Sequence, residues 1–220
     1  MKSKQQKTPW PTKAAMTQVY EQALWGSHIS GFYSGDGSHH PELVDPYVGT
    51  VSSFLTSFDT PLTVCDLGCG DFNVGQQLVK YAKCYVAVDI VSELIAYNSN
   101  HFKADHLEFH CLDLVADDLP SGNCALLRQV LQHLSNAEIH RILPKLSQYN
   151  YVILTEHVPY GDFEPNTDLI SGQGTRLKQG SGLELMAAPF HLKVRYTKQL
   201  LSVKSTDGKG IIVTTLYKFV

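Results

Sequence analysis

From residue 62 onward, short apolar runs alternate with stretches in which apolar side chains recur every three or four positions. The runs predict strands at 62–66, 84–88, 107–111, 124–128 and 150–155, and the periodic stretches predict helices at 73–83, 92–100 and 136–147. Ser135 to Glu138 reads as a capping box ahead of the last helix, whose apolar face is Ile139, Ile142, Leu143 and Leu146. Pro144 lies on that face, so this helix is expected to be short or kinked. Earlier in the chain, Met16, Val19, Tyr20, Ala23 and Leu24 give a helical stripe over 13–25. Asp45-Pro46 reads as an N-cap and first helical position, followed by Tyr47, Val48, Val51, Phe54, Leu55 and Phe58 at helical spacing. The pattern ends in two strand-like runs, Phe190–Ser202 and Gly210–Val220, joined by Thr206-Asp207-Gly208-Lys209, a hairpin signal. Alternation of this kind predicts an α/β, doubly wound, mainly parallel sheet with a C-terminal antiparallel hairpin. A single domain over 1–220 is expected, with a helical or lid region at 13–58 and an aperiodic, glycine-containing insertion at 158–190.

Composition narrows the partners. The 220 residues are 43% hydrophobic and 18% charged, with a net charge of −3. That balance disfavours a duplex nucleic-acid partner, although Lys2, Lys4, Lys7 and Lys13 concentrate positive charge at the N-terminus, where a loose solubilising tail is expected. The five cysteines form no CxxC pair and are odd in number. Cys65, Cys111 and Cys124 fall in or beside predicted strands, so free buried thiols in a reducing compartment are expected. With no signal-peptide pattern and no apolar run near 18 residues, a cytoplasmic protein with no membrane partner is expected.

The chemistry concentrates at residues 64–75, Val-Cys-Asp-Leu-Gly-Cys-Gly-Asp-Phe-Asn-Val-Gly. A strand ends at Asp66, and Gly68 and Gly70 leave the backbone bare where a ligand can approach main-chain N–H groups. Twenty-three residues on, a second strand, Tyr85 to Val88, ends on Asp89. Acids at the ends of adjacent parallel strands around a glycine turn suit a nucleoside. A dinucleotide fold wants a small residue three positions after Gly70, where Asn73 stands behind Phe72, and no Gly-Lys-Ser/Thr follows for a P-loop. A ligand with a ribose and no pyrophosphate remains, and S-adenosylmethionine is the common one.

Val64 to Gly75 resembles motif I of the class I S-adenosylmethionine-dependent methyltransferases, and Asp89 falls where their ribose-binding acid sits. Phe109 to Leu114 resembles their strand-three segment, and Leu126 to Leu134 their segment after strand four; the likeness spans residues 60–157 in order and spacing. Phe72 departs from it, since the family often has glycine there. The resemblance implies a Rossmann-like, seven-stranded sheet and direct SN2 transfer of a methyl group to a small-molecule acceptor, S-adenosylhomocysteine being the product. It implies a cofactor site of Trp25, Asp66, Gly68, Cys69, Gly70, Asp71, Phe72, Asp89, Ile90, Leu112, Asp113, Leu114, Arg128, Gln129 and His133. Within it, Asp89 would accept from the ribose hydroxyls, Asp113 from the adenine amine, and Asp66 would lie near the ammonium group. Trp25 and the segment Phe32 to Ser38 are candidates for a lid that excludes water.

Methyl transfer needs a base only if the acceptor arrives protonated, and the candidates are His133, His157 and Tyr33, with Glu156 behind them. No metal is expected: Arg128 and Thr155-Glu156-His157 occupy the regions where the metal-dependent catechol type carries its ligands, and His39-His40 with Asp36 reads as a solvated loop. The Asn/Asp-Pro-Pro-Tyr segment of amino-methylating nucleic-acid and glutamine enzymes is absent. The insertion at 158–190 is the expected acceptor side. The alternatives are a protein or RNA methyltransferase and a non-catalytic S-adenosylmethionine-binding homologue, and either a monomer or a homodimer is compatible with the sequence.

Overall fold

A computed structural model describes residues 10–27 and 31–219. The chain begins with α1 (Thr12–Glu21) and α2 (Pro41–Leu55), then builds β1 (Thr63–Leu67), β2 (Cys84–Asp89), α3 (Ser92–His101), β3 (Leu107–Cys111), β4 (Cys124–Arg128), α4 (Asn136–Leu146), β5 (Tyr151–Val158), β6 (Tyr196–Lys204) and β7 (Ile211–Lys218). One seven-stranded sheet has the order β3-β2-β1-β4-β5-β7-β6. β1 to β5 run parallel to one another, and β7 runs antiparallel to both β5 and β6. The expected architecture is therefore the observed one.

Both faces of the sheet are covered, which explains the near-continuous apolar strands. Cys65, Leu67, Val86, Val88 and Leu127 face Ile139, Ile142, Leu143 and Leu146 of α4. Val64, Tyr85, Ala87 and Leu126 face Tyr47, Val51 and Leu55 of α2. The strand order reverses between β1 and β4, leaving a crevice at their C-terminal ends.

Four expectations need correction. No α-helix forms over 73–83; two 3-10 turns, Gly75–Gln77 and Val79–Tyr81, stand there instead. The Asn73 carbonyl is taken by the side-chain amides of Gln76 (3.3 Å) and Gln77 (3.2 Å), while the Gln77 N–H reaches back only to Val74. Secondly, α2 starts at Pro41, not Pro46, because Leu43 and Val44 extend its buried stripe toward the N-terminus and Pro41 takes the first turn. Pro46 then lies inside the helix. Thirdly, Cys111 is exposed, since β3 is an edge strand; Cys65 and Cys124 are buried as expected. Finally, β6 begins at Tyr196 rather than at Phe190, which is buried in the core just before a left-handed turn at His191 (φ 47°). Lys2, Lys4 and Lys7 lie outside the described residues. Among the described residues no helix is long and apolar enough to cross a membrane.

Candidate active site

A cavity of about 410 Å³ opens along the C-terminal ends of the strands, from Asp113 beyond β3 to His157 at the end of β5. Its floor is the turn after β1. Gly68 (φ 87°) and Gly70 (φ 57°) adopt backbone that side chains rarely tolerate. A Cβ at Gly68 would come within 2.5 Å of Val130, and one at Gly70 would collide with the Ser34 hydroxyl. The N–H groups of Gly68 and Cys69 both donate to the Val88 carbonyl at 2.8 Å, which ties this turn to β2.

Asp89 then sits beside the turn. Its carboxylate accepts from the N–H of Gly70 (3.1 Å) and of Val91 (3.1 Å), so its orientation is fixed from both flanking segments. Burial pushes its pKa up, with those backbone bonds opposing the shift. Asp66 also lines the cavity but accepts from the Tyr85 hydroxyl at 2.9 Å, and burial pushes it up to about 6. Cys69, Ile90, Asp113 and Leu114 complete this half, with Asp113 accepting from the Val115 N–H at 2.8 Å. Phe72, expected at the cofactor, is instead core. Its φ of 64° turns the ring inward, where it packs on Tyr85, Phe102 and Phe109 with centroids 4.9–5.8 Å away. Leu112 likewise packs against the core rather than lining the cavity.

The segment from Ser34 to His39 closes one side. The Ser34 N–H donates to Asp71 at 2.7 Å, and the Asp71 N–H donates to the Ser34 hydroxyl at 2.8 Å. His39 Nε2 lies 2.5 Å from the same Asp71 carboxylate. Arg128 donates to the Gly37 carbonyl and to the Ser38 hydroxyl, with its guanidinium 4.9 Å from the Tyr47 ring centroid. Asn73 donates to the Ser38 carbonyl at 2.7 Å. Asp71 and Arg128 thus hold the N-terminal segment while they line the cavity.

Beyond β4, Gln129 (φ 57°) lines the cavity and leads into a 3-10 turn, Leu131–His133. Glu156 accepts from the N–H groups of Leu131 (3.1 Å) and Gln132 (3.0 Å), and burial pushes its carboxyl up to about 8. Arg176, fully buried, donates to the carbonyls of Leu131, Gln132 and Leu134 and to the Asn136 side chain. The turn is braced from both sides. It presents His133 to the cavity 5.0 Å from Trp25, centroid to centroid.

Of the three base candidates, His133 and His157 line the cavity and Tyr33 does not. Tyr33 donates to Asp36 at 2.5 Å and stacks on His39. Sequence reasoning did not single out Gln132, and it met Ser34 only within the lid candidate and Arg176 only within the insertion at 158–190.

No protein-family model matches the sequence, and no curated protein does. Solved structures do resemble the fold. N-methyltransferase NodS from Bradyrhizobium japonicum WM9, in complex with S-adenosyl-L-homocysteine, superposes with a TM-score of 0.68 at 10% identity, over 93% of this chain and 98% of that one. The fold is that of the class I S-adenosylmethionine-dependent methyltransferases. Magnesium protoporphyrin IX methyltransferase from Synechocystis PCC 6803, with S-adenosylmethionine bound, aligns at 0.59 and 15% identity over 96% and 99%. Burkholderia thailandensis 1,6-didemethyltoxoflavin-N1-methyltransferase, bound to 1,6-didemethyltoxoflavin and S-adenosylhomocysteine, aligns at 0.60 and 14% over 97% and 93%. This methyltransferase fold carries its crevice where the glycine turn and Asp89 meet.

Proposed function

We propose that the protein is an S-adenosylmethionine-dependent methyltransferase acting on a small-molecule acceptor. The observation that carries the reading is the Asp89 carboxylate, held by Gly70 and Val91 beside a bare glycine turn at the switch point of the sheet. Each carboxylate oxygen accepts one backbone N–H and keeps a second lone pair, so Asp89 can still receive both ribose hydroxyls. Ile90, Leu114, Val115 and Met16 supply apolar walls suited to a base. Asp36, Asp66, Asp71, Asp89 and Asp113 give the cavity an acidic field that favours a cationic ligand, with Arg128 as the opposing cation. These residues fit the group. S-adenosylmethionine, when bound, supplies a methyl group on a sulfonium sulfur that an in-line nucleophile can take directly. The chain contributes position and exclusion of water, which is most of what such a step requires. The strap from Ser34 to His39 and the Trp25 ring support a covering role for the N-terminal segment.

Calorimetry with S-adenosylhomocysteine tests the reading. The wild type is expected to bind, and Asp89→Ala to bind at least roughly tenfold more weakly through loss of charge-assisted bonds. Absence of binding by the wild type rejects the cofactor assignment, and equal affinity in the variant rejects the role of Asp89.

A further inference from the structure

The cavity extends past the strands that a nucleoside at Asp89 needs. Asp113, Asp89 and the Gly68–Asp71 turn occupy its β3-β2-β1 half, whereas His157 and Asp207 line the opposite end, at β5 and the β6–β7 turn. Because β7 returns antiparallel to β5, with Ile211 opposite Val158, that turn lies beside the same strand ends as the cavity. It presses close: a Cβ at Gly210 would sit 3.1 Å from His157 Nε2. Asp207 accepts from the Ser205 hydroxyl (2.7 Å) and the Lys209 N–H (3.0 Å), and its Oδ1 lies 4.0 Å from His157 Nε2. Nε2 is sealed from solvent without a hydrogen-bond partner among the described residues. The side chain keeps 15% of its surface accessible and lines the cavity.

We propose that this end of the cavity is the acceptor subsite, where His157 takes a proton from the accepting atom at Nδ1 while Asp207, 4.0 Å from the sealed Nε2, favours the protonated ring through its charge. The inference rests on the methyltransferase reading and names its substrate class: an acceptor whose nucleophilic atom carries a dissociable proton, a hydroxyl or a protonated amine. A hydroxyl would give up its proton as it attacks, whereas a protonated amine must give it up first to free its lone pair; as that pair forms the bond to the methyl carbon, the electron pair of the breaking C–S bond would return to sulfur. The acceptor's proton passes to the His157 ring, and the resulting imidazolium is stabilised by Asp207.

The other two candidates are already engaged. His133 Nδ1 lies 3.1 Å from the Gly174 carbonyl and Nε2 3.3 Å from the Gln132 amide nitrogen, and burial pushes its pKa down to about 4. Burial and the bond to Asp36 push Tyr33 up to about 12. Around His157, burial lowers the pKa, Asp207 raises it and Lys209 lowers it, so the ring sits below the ordinary imidazole range. Against the effect of burial, the Lys209 N–H and Ser205 hydroxyl hold the Asp207 carboxyl below its usual range. Gln132 fixes the backbone beneath the ring by accepting the His157 N–H at 3.0 Å.

The test uses the full chain saturated with S-adenosylhomocysteine, histidine-labelled for NMR, with phenol and benzylamine as probes. His157→Gln and Asp207→Asn are expected to bind S-adenosylhomocysteine within about twofold of wild type, since they lie away from Asp89. At least one probe is expected to shift the His157 ring resonance saturably, and Asp207→Asn to lower the titration midpoint of His157. Asp207 is in an exposed turn, so this variant keeps the test open should His157→Gln fail to fold. If both probes leave His157 unmoved, or the midpoint is the same in Asp207→Asn, the subsite or its carboxylate is overturned. Failure of the wild type to bind S-adenosylhomocysteine would instead reject the underlying methyltransferase reading.

Discussion

At the scale of single residues, a carboxyl and a guanidinium brace the turn at Leu131–His133 through its backbone, Glu156 on the N–H groups and Arg176 on the carbonyls. Burial pushes Glu156 up to about 8, above the ordinary range for an unfolded glutamate. A proton held more tightly in the fold stabilises it below the unfolded pKa, and that stabilisation is lost as pH rises through the folded one. His133, pushed down from 6.5 to about 4, acts in the opposite sense, and only between those values. Between about pH 6.5 and 8, stability should therefore fall by roughly 1–2 kcal/mol, read from urea midpoints. Glu156→Gln should flatten that slope; the same slope in the variant would mean that Glu156 is already ionised in the fold. Asp89 and the two glycines were legible because their spacing is local to consecutive strands. Arg176 was not, since the carbonyls it serves lie more than forty residues earlier in the chain. Phe72 misled for a similar reason: its backbone conformation, not its neighbours in sequence, sends it into the core.

Elements repeat the contrast. The helix α4 could be read because its start is written within four residues: the Ser135 side chain accepts from the Glu138 N–H, and Glu138 accepts from the Ser135 N–H. Ser135→Ala should cost about 1 kcal/mol of stability, measured by urea unfolding; a loss near zero would mean that Ser171, which also meets Ser135 and Glu138, takes over the cap. The stretch 73–83 shows the converse. Its apolar spacing suggests a helix, yet side-chain amides from Gln76 and Gln77 occupy the carbonyl that the helix would use. Periodicity reports which face is buried, and Leu78, Val79 and Ala82 are indeed buried. It does not report the hydrogen-bond ladder.

For the whole molecule, the sheet order followed from the alternation of runs, while the closing of the site depended on contacts between distant segments that no spacing encodes. The Ser34 amide, bonded to Asp71, is a local reporter of that closure. S-adenosylhomocysteine should slow its hydrogen exchange by roughly tenfold, and Asp71→Asn should remove most of that protection. Equal exchange with and without ligand would sink the covering role of the strap.

The strap also has a consequence for how the chain is made. Tyr20, Trp25 and Phe32 form one aromatic group near the start of the chain. The partners of this region, Asp71, Asn73, Arg128 and His133, all come later, and Gln173, which donates to the Leu24 carbonyl, comes later still. On a ribosome, this region leaves the exit tunnel before the residues that seat it. During synthesis these aromatic rings stay without their full seat until the chain has passed Gln173.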